Sequence, residues 1–197
     1  PWRRRSLSFG DLAAAEADRL YAHVPYVVDH ILYPLAGHLI VDLALYLLIA
    51  ELRNPMLILH HVITGLQAYM ALHPSAYCHF YIIYFAGVSE LSNLPLAFVE
   101  LCQLMPKLRK SWPLTHDRAR AVFGLLFVPL RLVYWPILML QFFRDSAGAM
   151  REGRVTSLRV LLFYLAAGGV MTLMQLGWGV KITGILQKQL QRHQQAA

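Results

Sequence analysis

The stretch that decides the fold runs from Pro55 to Pro106 and reads PMLILHHVITGLQAYMALHP followed by SAYCHFYIIYFAGVSELSNLPLAFVELCQLMP. From its start to Val99, Glu90 is the only formally charged residue. His73-Pro74-Ser75 separates two apolar runs, each long enough to cross the roughly 30 Å hydrocarbon core of a bilayer. Polar side chains at membrane depth are costly unless they have partners, so they usually face a protein interior or a water-filled cavity. We therefore expect a functional site between these two helices.

The composition is that of a membrane protein. Of the 197 residues, 57% are hydrophobic and 15% are charged, and the mean hydropathy of +0.46 is too high for an ordinary soluble domain. The net charge of +7 comes from basic residues in connections and at the ends, where they can meet anionic lipid head groups. Nucleic acid is therefore not an expected partner. We predict an all-α, polytopic transmembrane helical bundle.

Five apolar spans of helical length are predicted, with an N-terminal interfacial helix before them. The spans cover approximately Ile31–Ala50, Met56–Leu72, Tyr77–Leu94, Val122–Phe143 and Val160–Ile185. Between the last three spans lie a strongly basic linker, Pro106–Ala121, and a polar connection, Arg144–Arg159. Glycine pairs in the last span permit close packing of helices.

The predicted domain organisation has three parts. Residues 1–25 form an interfacial segment, residues 26–186 form the transmembrane domain, and residues 187–197 form a polar tail. Within the first part, Ser8 and Asp11 resemble a capping box that opens a helix over Leu12–Tyr21. Pro25 is expected to end that helix.

Polar residues recur at helical spacing inside the first two spans. They are His38, Asp42 and Tyr46 in the first span, and His60, Thr64 and Gln67 in the second. Each set lies on one helical face. His61 adds an imidazole, a group that can act as a general base near neutral pH, but it points about 100° away from His60. We interpret these residues first as structural hydrogen-bonding groups, then as contacts to a lipid head group, and last as catalytic groups or ligands.

Glu90 and Arg131 are formal charges deep inside two different apolar runs. Mutual pairing would lower the cost of burying both, and Asp42 is a competing partner for Arg131. We favour a structural ion pair between the two spans. The functional alternative is that these groups line a pocket for a lipid phosphate or a fatty acyl group.

Ligation of haem by two histidines is a further hypothesis, because His38, His60, His61 and His79 lie on three different spans. No spacing places two of them at the same membrane depth, so haem is disfavoured. We predict no metal and no cofactor, and a bound phospholipid or acyl lipid is compatible with the polar faces.

Three polar segments occur in a recognisable order: His60-His61 before Thr64, then Glu90-Leu91-Ser92-Asn93-Leu94-Pro95, then Phe127 before Arg131. Together they resemble the TLC domain family, which contains ceramide synthases, translocon-associated proteins and small proteins of lipid homeostasis. Leu39–Tyr46 is similar to the Asp-containing span that precedes the His pair in that family, and the resemblance covers about residues 27–176. It implies a helical bundle, usually of six or more spans, around a central cavity that accepts lipid or acyl chains.

The chain departs from the ceramide synthases at one place. They carry a His-Asp pair and a further Asp where this chain reads Ser89-Glu90 and Ser92-Asn93. The chain therefore resembles the small branch without ceramide synthase activity, and a catalytic role is disfavoured. The residues expected to line a lipid cavity are Asp42, His60, His61, Thr64, Gln67, Glu90, Asn93 and Arg131.

Three functions are compatible with these observations. The first is to bind or organise membrane lipid, the second is to serve as an accessory structural subunit of a large membrane protein complex, and the third is lipid acyl transfer. The expected partners are membrane lipids and, for the second function, other membrane protein subunits. The family resemblance implies the endoplasmic reticulum, whereas a processed N-terminus would fit a mitochondrion or plastid.

Overall fold

The computed structural model describes residues 16–73 and 78–196, which are almost entirely helical and include no strand. The seven helices of this part of the chain are α1 (Glu16–Tyr21), α2 (Pro25–Leu48), α3 (Pro55–Ala71), α4 (His79–Leu104), α5 (Pro106–Ser111), α6 (Pro113–Arg151) and α7 (Leu158–Ala196). The predicted all-α class is confirmed. The Ser8 and Asp11 capping box lies outside the described residues.

In the described part of the chain, four helices are long and apolar enough to cross a membrane: α2, α4, α6 and the part of α7 from Leu158 to Gly184. The predicted second span, Met56–Leu72, has the predicted length but falls short of a full crossing of the bilayer. It forms α3, which has 17 residues and is about 26 Å long at the rise of an α-helix. That length is slightly less than the roughly 30 Å core of a typical bilayer. The chain is thus polytopic, and its described residues form four helices of full spanning length where the sequence indicated five.

Several helices extend beyond the apolar runs that predicted them. The basic linker contains α5 and the first turns of α6, the polar connection begins only after Arg151, and α7 continues through the Gln-rich tail to Ala196. Hydropathy marks only the part of a helix that lies in the membrane. Arg, Lys, Gln and Ala are good helix formers, so the backbone ladder continues into polar sequence.

Prolines start helices in this chain. Pro25, Pro55, Pro106 and Pro113 each stand at the first position of a helix, where the missing N–H is not needed. Pro25 therefore begins α2, whereas α1 ends earlier, at Tyr21. The start of α3 is also capped, because the Asn54 side chain accepts a hydrogen bond of 3.0 Å from the Met56 N–H.

The chain divides into two compact units. The first contains residues up to Val88 together with Ile137–Val170, and the second contains Ser89–Pro136 together with the residues from Met171 onward. In the first unit α2 packs along α3 and contacts the start of α4. The side chains at the centre of this packing are Val27, Leu32, Leu35, Leu39, Ala68, Ala71 and Ile82.

His79 joins two helix ends inside the first unit. It is fully buried, its Nδ1 accepts from the Val24 N–H at 3.1 Å, and its Nε2 donates to the Ala71 carbonyl at 2.8 Å. Val24 precedes α2 and Ala71 ends α3, so both backbone groups are ones that a helix leaves unsatisfied. Because one ring nitrogen accepts and the other donates, this histidine is the neutral Nε2–H tautomer.

A buried ion pair connects α1 to α6 in the same unit. Arg19 donates to both carboxylate oxygens of Asp145, from Nε at 2.7 Å and from Nη2 at 2.8 Å, and the Tyr81 hydroxyl also donates to Asp145. Arg19 is 7% exposed and Asp145 is 4% exposed. Hydrogen bonding to Asp145 raises the pKa of the Arg19 guanidinium above its ordinary value. This bidentate geometry is the strongest form of the Arg–carboxylate interaction.

In the second unit, the Asn93–Leu104 part of α4 packs against the first part of α6. Farther along, the Trp135 indole donates to the Thr172 hydroxyl at 3.1 Å, which ties α6 to α7. A Cβ atom on Gly179 would stand only 2.5 Å from a methyl carbon of Leu132. Glycine at this position therefore allows the two helices to approach closely.

We predict that Asp145→Ala destabilises the protein far more than loss of an exposed carboxylate. The change leaves Arg19 buried without its counter-ion, so the free energy of unfolding should fall by about 3 kcal/mol. Reversible denaturation in mixed micelles, followed by circular dichroism, measures this. Asp117→Ala is the control, because that side chain is 72% exposed. Equal effects of the two substitutions would contradict a structural role for the ion pair.

Candidate functional site

Arg131 is the centre of a polar cluster in the second unit. It is 3% exposed although it lies within the membrane-spanning part of α6. Its Nε donates to the Ser92 hydroxyl at 2.9 Å, and its Nη2 donates to the Ser89 carbonyl at 3.2 Å and to the Asn93 side-chain oxygen at 3.0 Å. The same nitrogen lies 3.5 Å from a carboxylate oxygen of Glu90. The predicted partnership between Glu90 and Arg131 is thus present.

The partners of Arg131 are also bonded to one another. The Asn93 side-chain amide donates to the second carboxylate oxygen of Glu90, and the Ser92 hydroxyl donates to the Ser89 carbonyl at 2.8 Å. Phe127, one turn before Arg131, has its ring centroid 6.0 Å from the guanidinium carbon, within reach of a cation–π interaction. The cluster therefore spreads one positive charge over several acceptors and an aromatic face.

Irregular helix geometry positions both halves of this cluster. Ser89 to Ser92 lie in a 3₁₀ segment, Val88–Ser92, and Arg131 lies in a π-helical segment, Val128–Tyr134. Pro129 lies inside the π-helical segment and Pro136 follows it, and each removes a backbone donor from the helix. Such irregular turns are tolerated at membrane depth only where protein or water satisfies the backbone. They are frequent at functional sites.

A second cluster surrounds Asp42 in the first unit. One carboxylate oxygen of Asp42 lies 3.2 Å from Nε2 of His61 and 3.3 Å from Nε2 of His38. Nδ1 of His61 donates to the Leu57 carbonyl at 2.8 Å, and the Tyr46 ring packs edge-on against His61 with centroids 5.0 Å apart. The predicted polar face of the first span therefore meets the His pair, and Asp42 pairs with histidine rather than with Arg131.

This geometry limits what His61 can do chemically. Its two ring nitrogens both face acceptors, the Leu57 carbonyl and the Asp42 carboxylate, and it can donate to both only when both carry a proton. A general base needs a free nitrogen lone pair directed at substrate. The observed hydrogen bonds therefore link α2 to α3 and orient the His61 ring.

The remaining predicted residues lie in different surroundings. His60 is buried, with its ring centroid 5.2 Å from that of His61. Thr64 and Gln67 are half-buried. The Thr64 hydroxyl has no hydrogen-bond partner among the described residues. The main-chain carbonyl of Gln67 accepts from the Tyr164 hydroxyl at 2.8 Å. The structure thus brings Glu90, Asn93 and Arg131 together, and brings Asp42 together with the His pair.

Gln175 on α7 is a polar residue that sequence reasoning missed. It is 1% exposed, and neither its amide nitrogen nor its amide oxygen has a hydrogen-bond partner in the part of the chain that the structure describes. It lies between Thr172 and Gly179, which both contact α6. The available signal was a single amide in the apolar run from Val170 to Val180. A buried amide without partners is costly and calls for a polar group that the described residues do not supply.

A metal site is not formed by the described residues, because no three of their His, Cys, Asp or Glu side chains are grouped so that they could hold an ion. The two ring nitrogens of His79, one of the histidines considered for haem, are both occupied by backbone groups.

We predict that Glu90 and Arg131 are energetically coupled. In a double-mutant cycle with Glu90→Gln and Arg131→Met, the coupling in the free energy of unfolding should be about 2 kcal/mol, because each single change leaves a polar partner unpaired within a span. Denaturation in mixed micelles supplies the four values. The control cycle is Glu152→Gln with Arg154→Met, a more exposed pair beyond α6, for which about 0.5 kcal/mol is expected. Coupling no larger than that of the control would contradict the prediction.

Comparison with known proteins supplies the family. The sequence model of the TLC domain matches residues 19–184, which is most of the chain. No curated protein and no solved structure gives a significant match. The match includes the His pair, Glu90 and Arg131, and four helices among residues 16–73 and 78–196 are long and apolar enough to cross a membrane. The chain belongs to the TLC domain family and is an integral membrane protein.

Proposed function

We propose that this TLC-domain protein binds or organises membrane lipid and performs no chemical step on it. The observation that carries the proposal is the position of Glu90. Its side chain is 25% exposed, although it belongs to a membrane span and although its partner Arg131 is almost fully buried. An exposed edge of a carboxylate at that depth needs a donor other than water. A lipid that carries a hydroxyl, amide or ammonium group can supply it.

Gln175 supports the same proposal from α7. Its amide can both donate and accept, and it has no partner among the described residues. The polar linkage region of a lipid offers ester or amide groups that match this chemistry. The extensive apolar surface of the spans, for example at Ile40, Leu94 and Leu173, is suited to acyl chains.

The arrangement of the charged groups argues against the acyl-transfer alternative. Arg131 bonds with Ser92, Asn93 and Glu90, and the ring nitrogens of His61 face Leu57 and Asp42. A catalytic acid or base has to exchange protons with a substrate. Polar groups that are engaged in this way serve to recognise a lipid or to hold the helices together. The role of accessory subunit stays a competing prediction.

We predict that Glu90→Gln lowers the amount of lipid that remains with the protein. The substitution removes the charge but keeps the size, so assembly should persist while retained lipid falls by about tenfold, the effect of losing one charge-assisted hydrogen bond. Native mass spectrometry after mild detergent extraction measures the lipid and the mass of the particle. The matched control is Glu51→Gln, which alters an exposed glutamate outside the spans.

The same measurement separates the competing functions. His61→Ala should also change the bound lipid if the first unit contributes to binding. Unchanged lipid content in both the Glu90→Gln and the His61→Ala variant would contradict the proposal. A native particle of many hundred kilodaltons with fixed stoichiometry would instead favour the accessory-subunit function.

We predict opposite effects of Gln175→Leu on stability and on lipid. Replacing an unpartnered buried amide by an apolar side chain should raise the free energy of unfolding of the delipidated protein by about 1 kcal/mol. If the amide binds lipid, the same change should reduce retained lipid. Denaturation and native mass spectrometry provide the two readouts, and Leu176→Ala, at an exposed neighbouring position, is the control. A Gln175→Leu variant that is more stable but retains as much lipid as the unsubstituted protein would show that Gln175 has no role in lipid binding.

A further inference from the structure

The corner between α4 and α6 contains a cleft that the clusters described above do not use. The chain leaves α4 at Leu104, passes through the short helix α5 and enters α6 at Pro113. The cleft has a volume of about 380 Å³ and is lined by Pro106, Arg109, Lys110, Pro113, His116 and Asp117. This volume lies in the range of small-molecule sites, roughly 300 to 1,000 Å³.

The charge of this corner favours an anion. Between residues 106 and 120 there are five Lys or Arg residues and one acidic residue. Arg109 and Lys110 stand in the last turn of α5 and are exposed. His116 is 4% exposed, and its Nδ1 lies 3.3 Å from a carboxylate oxygen of Asp117, at the rim of the cleft. An arginine fork beside a lysine matches the oxygens of a phosphate group.

The position of the corner along the helices places it at the level of lipid head groups. Residues 121–130 contain no charge, so the apolar part of α6 begins at Ala121. At 1.5 Å per residue, His116 is about 8 Å outside this point, and the head-group layer is about 5 to 8 Å thick on each side. Met105, Trp112 and Leu114 are 52%, 55% and 71% exposed around the cleft. Apolar and basic side chains on one surface are typical of a segment that lies in the membrane interface.

We propose that the cleft between α5 and the start of α6 binds the phosphate head group of an anionic membrane lipid. Arg109 and Lys110 contact the phosphate, and Trp112 and Leu114 lie against the glycerol and upper acyl region. The occupant is a lipid rather than an acidic protein segment because the exposed side chains around the basic residues are apolar and the corner lies at head-group depth. This inference goes beyond the proposed function and uses none of the residues on which that function rests.

The test is a titration with phosphatidic acid of the full chain in phosphatidylcholine nanodiscs, read out by native mass spectrometry. Arg109→Gln with Lys110→Gln should raise the apparent dissociation constant by about tenfold or more, since each basic residue at a membrane surface contributes appreciably to binding anionic lipid. Asp117→Asn should lower it, because the acidic group at the rim is removed. The three substituted side chains, Arg109, Lys110 and Asp117, are exposed, so folding should be retained. Circular dichroism verifies this.

The matched control is Lys107→Gln with Arg118→Gln, which removes the same charge from exposed positions of the corner that do not line the cleft. This control should raise the dissociation constant by only about threefold, because Lys107 and Arg118 do not line the cleft and act on the lipid through the screened surface potential alone. Equal losses in the two double variants would overturn the proposal, since binding would then follow total charge. Displacement of the lipid by inorganic phosphate at constant ionic strength would also overturn it. Glu90→Gln should leave this constant unchanged, so failure here is distinct from failure of the proposed function.

Discussion

A charge inside a membrane protein has to find its partners within the protein, and Arg131 imposes this requirement on the second unit. Its guanidinium is almost fully buried within a span, where no water is available to solvate it. The α4 segment that faces it supplies a carboxylate, a side-chain amide, a hydroxyl and a backbone carbonyl within five consecutive residues. The 3₁₀ turn of α4 and the π turn of α6 are the backbone geometry in which these groups converge.

The first unit satisfies the same requirement by different means. Its buried polar links are Arg19 with Asp145, Asp42 with His61, and His79 with two backbone groups. The first joins helices that are distant in sequence. The second joins the successive helices α2 and α3, and His79 links the end of α3 to the residue before α2. Apolar surface alone discriminates little between helix partners in lipid, since acyl chains are as apolar as leucine. Directional hydrogen bonds are therefore what specifies which helices lie together.

The full engagement of these groups also bears on function. Arg131 and His61 are both held by protein acceptors, and in the proposed function they hold the helices together and exchange no proton with a substrate. The polar atoms left over are of another kind: an edge of the Glu90 carboxylate and the amide of Gln175, which has no partner among the described residues. Such groups are suited to recognition of a polar group on a largely apolar molecule.

The sequence by itself determined the class of the protein and several of its contacts. Hydropathy predicted the apolar spans. The pairing of Glu90 with Arg131 was predicted because each is a lone charge in an apolar run and has few other possible partners. Helical spacing likewise aligned His38, Asp42 and Tyr46; in the structure Asp42 and Tyr46 contact His61, and His38 contacts Asp42. These inferences rest on local periodicity and on solvation, which a sequence displays directly.

The tertiary structure alone decided the rest. Arg19 and Asp145 have the polar, charged surroundings of surface residues in the sequence, and only the packing of α1 against the start of α4 and the bonds to α6 bury them as a pair. His79 lies at a span end, and nothing in the sequence around it indicates its two backbone partners. Gln175 is noteworthy only once its burial is known. Burial and partnership are properties of segments far apart in the chain, so hydropathy and periodicity, which are local, do not contain them.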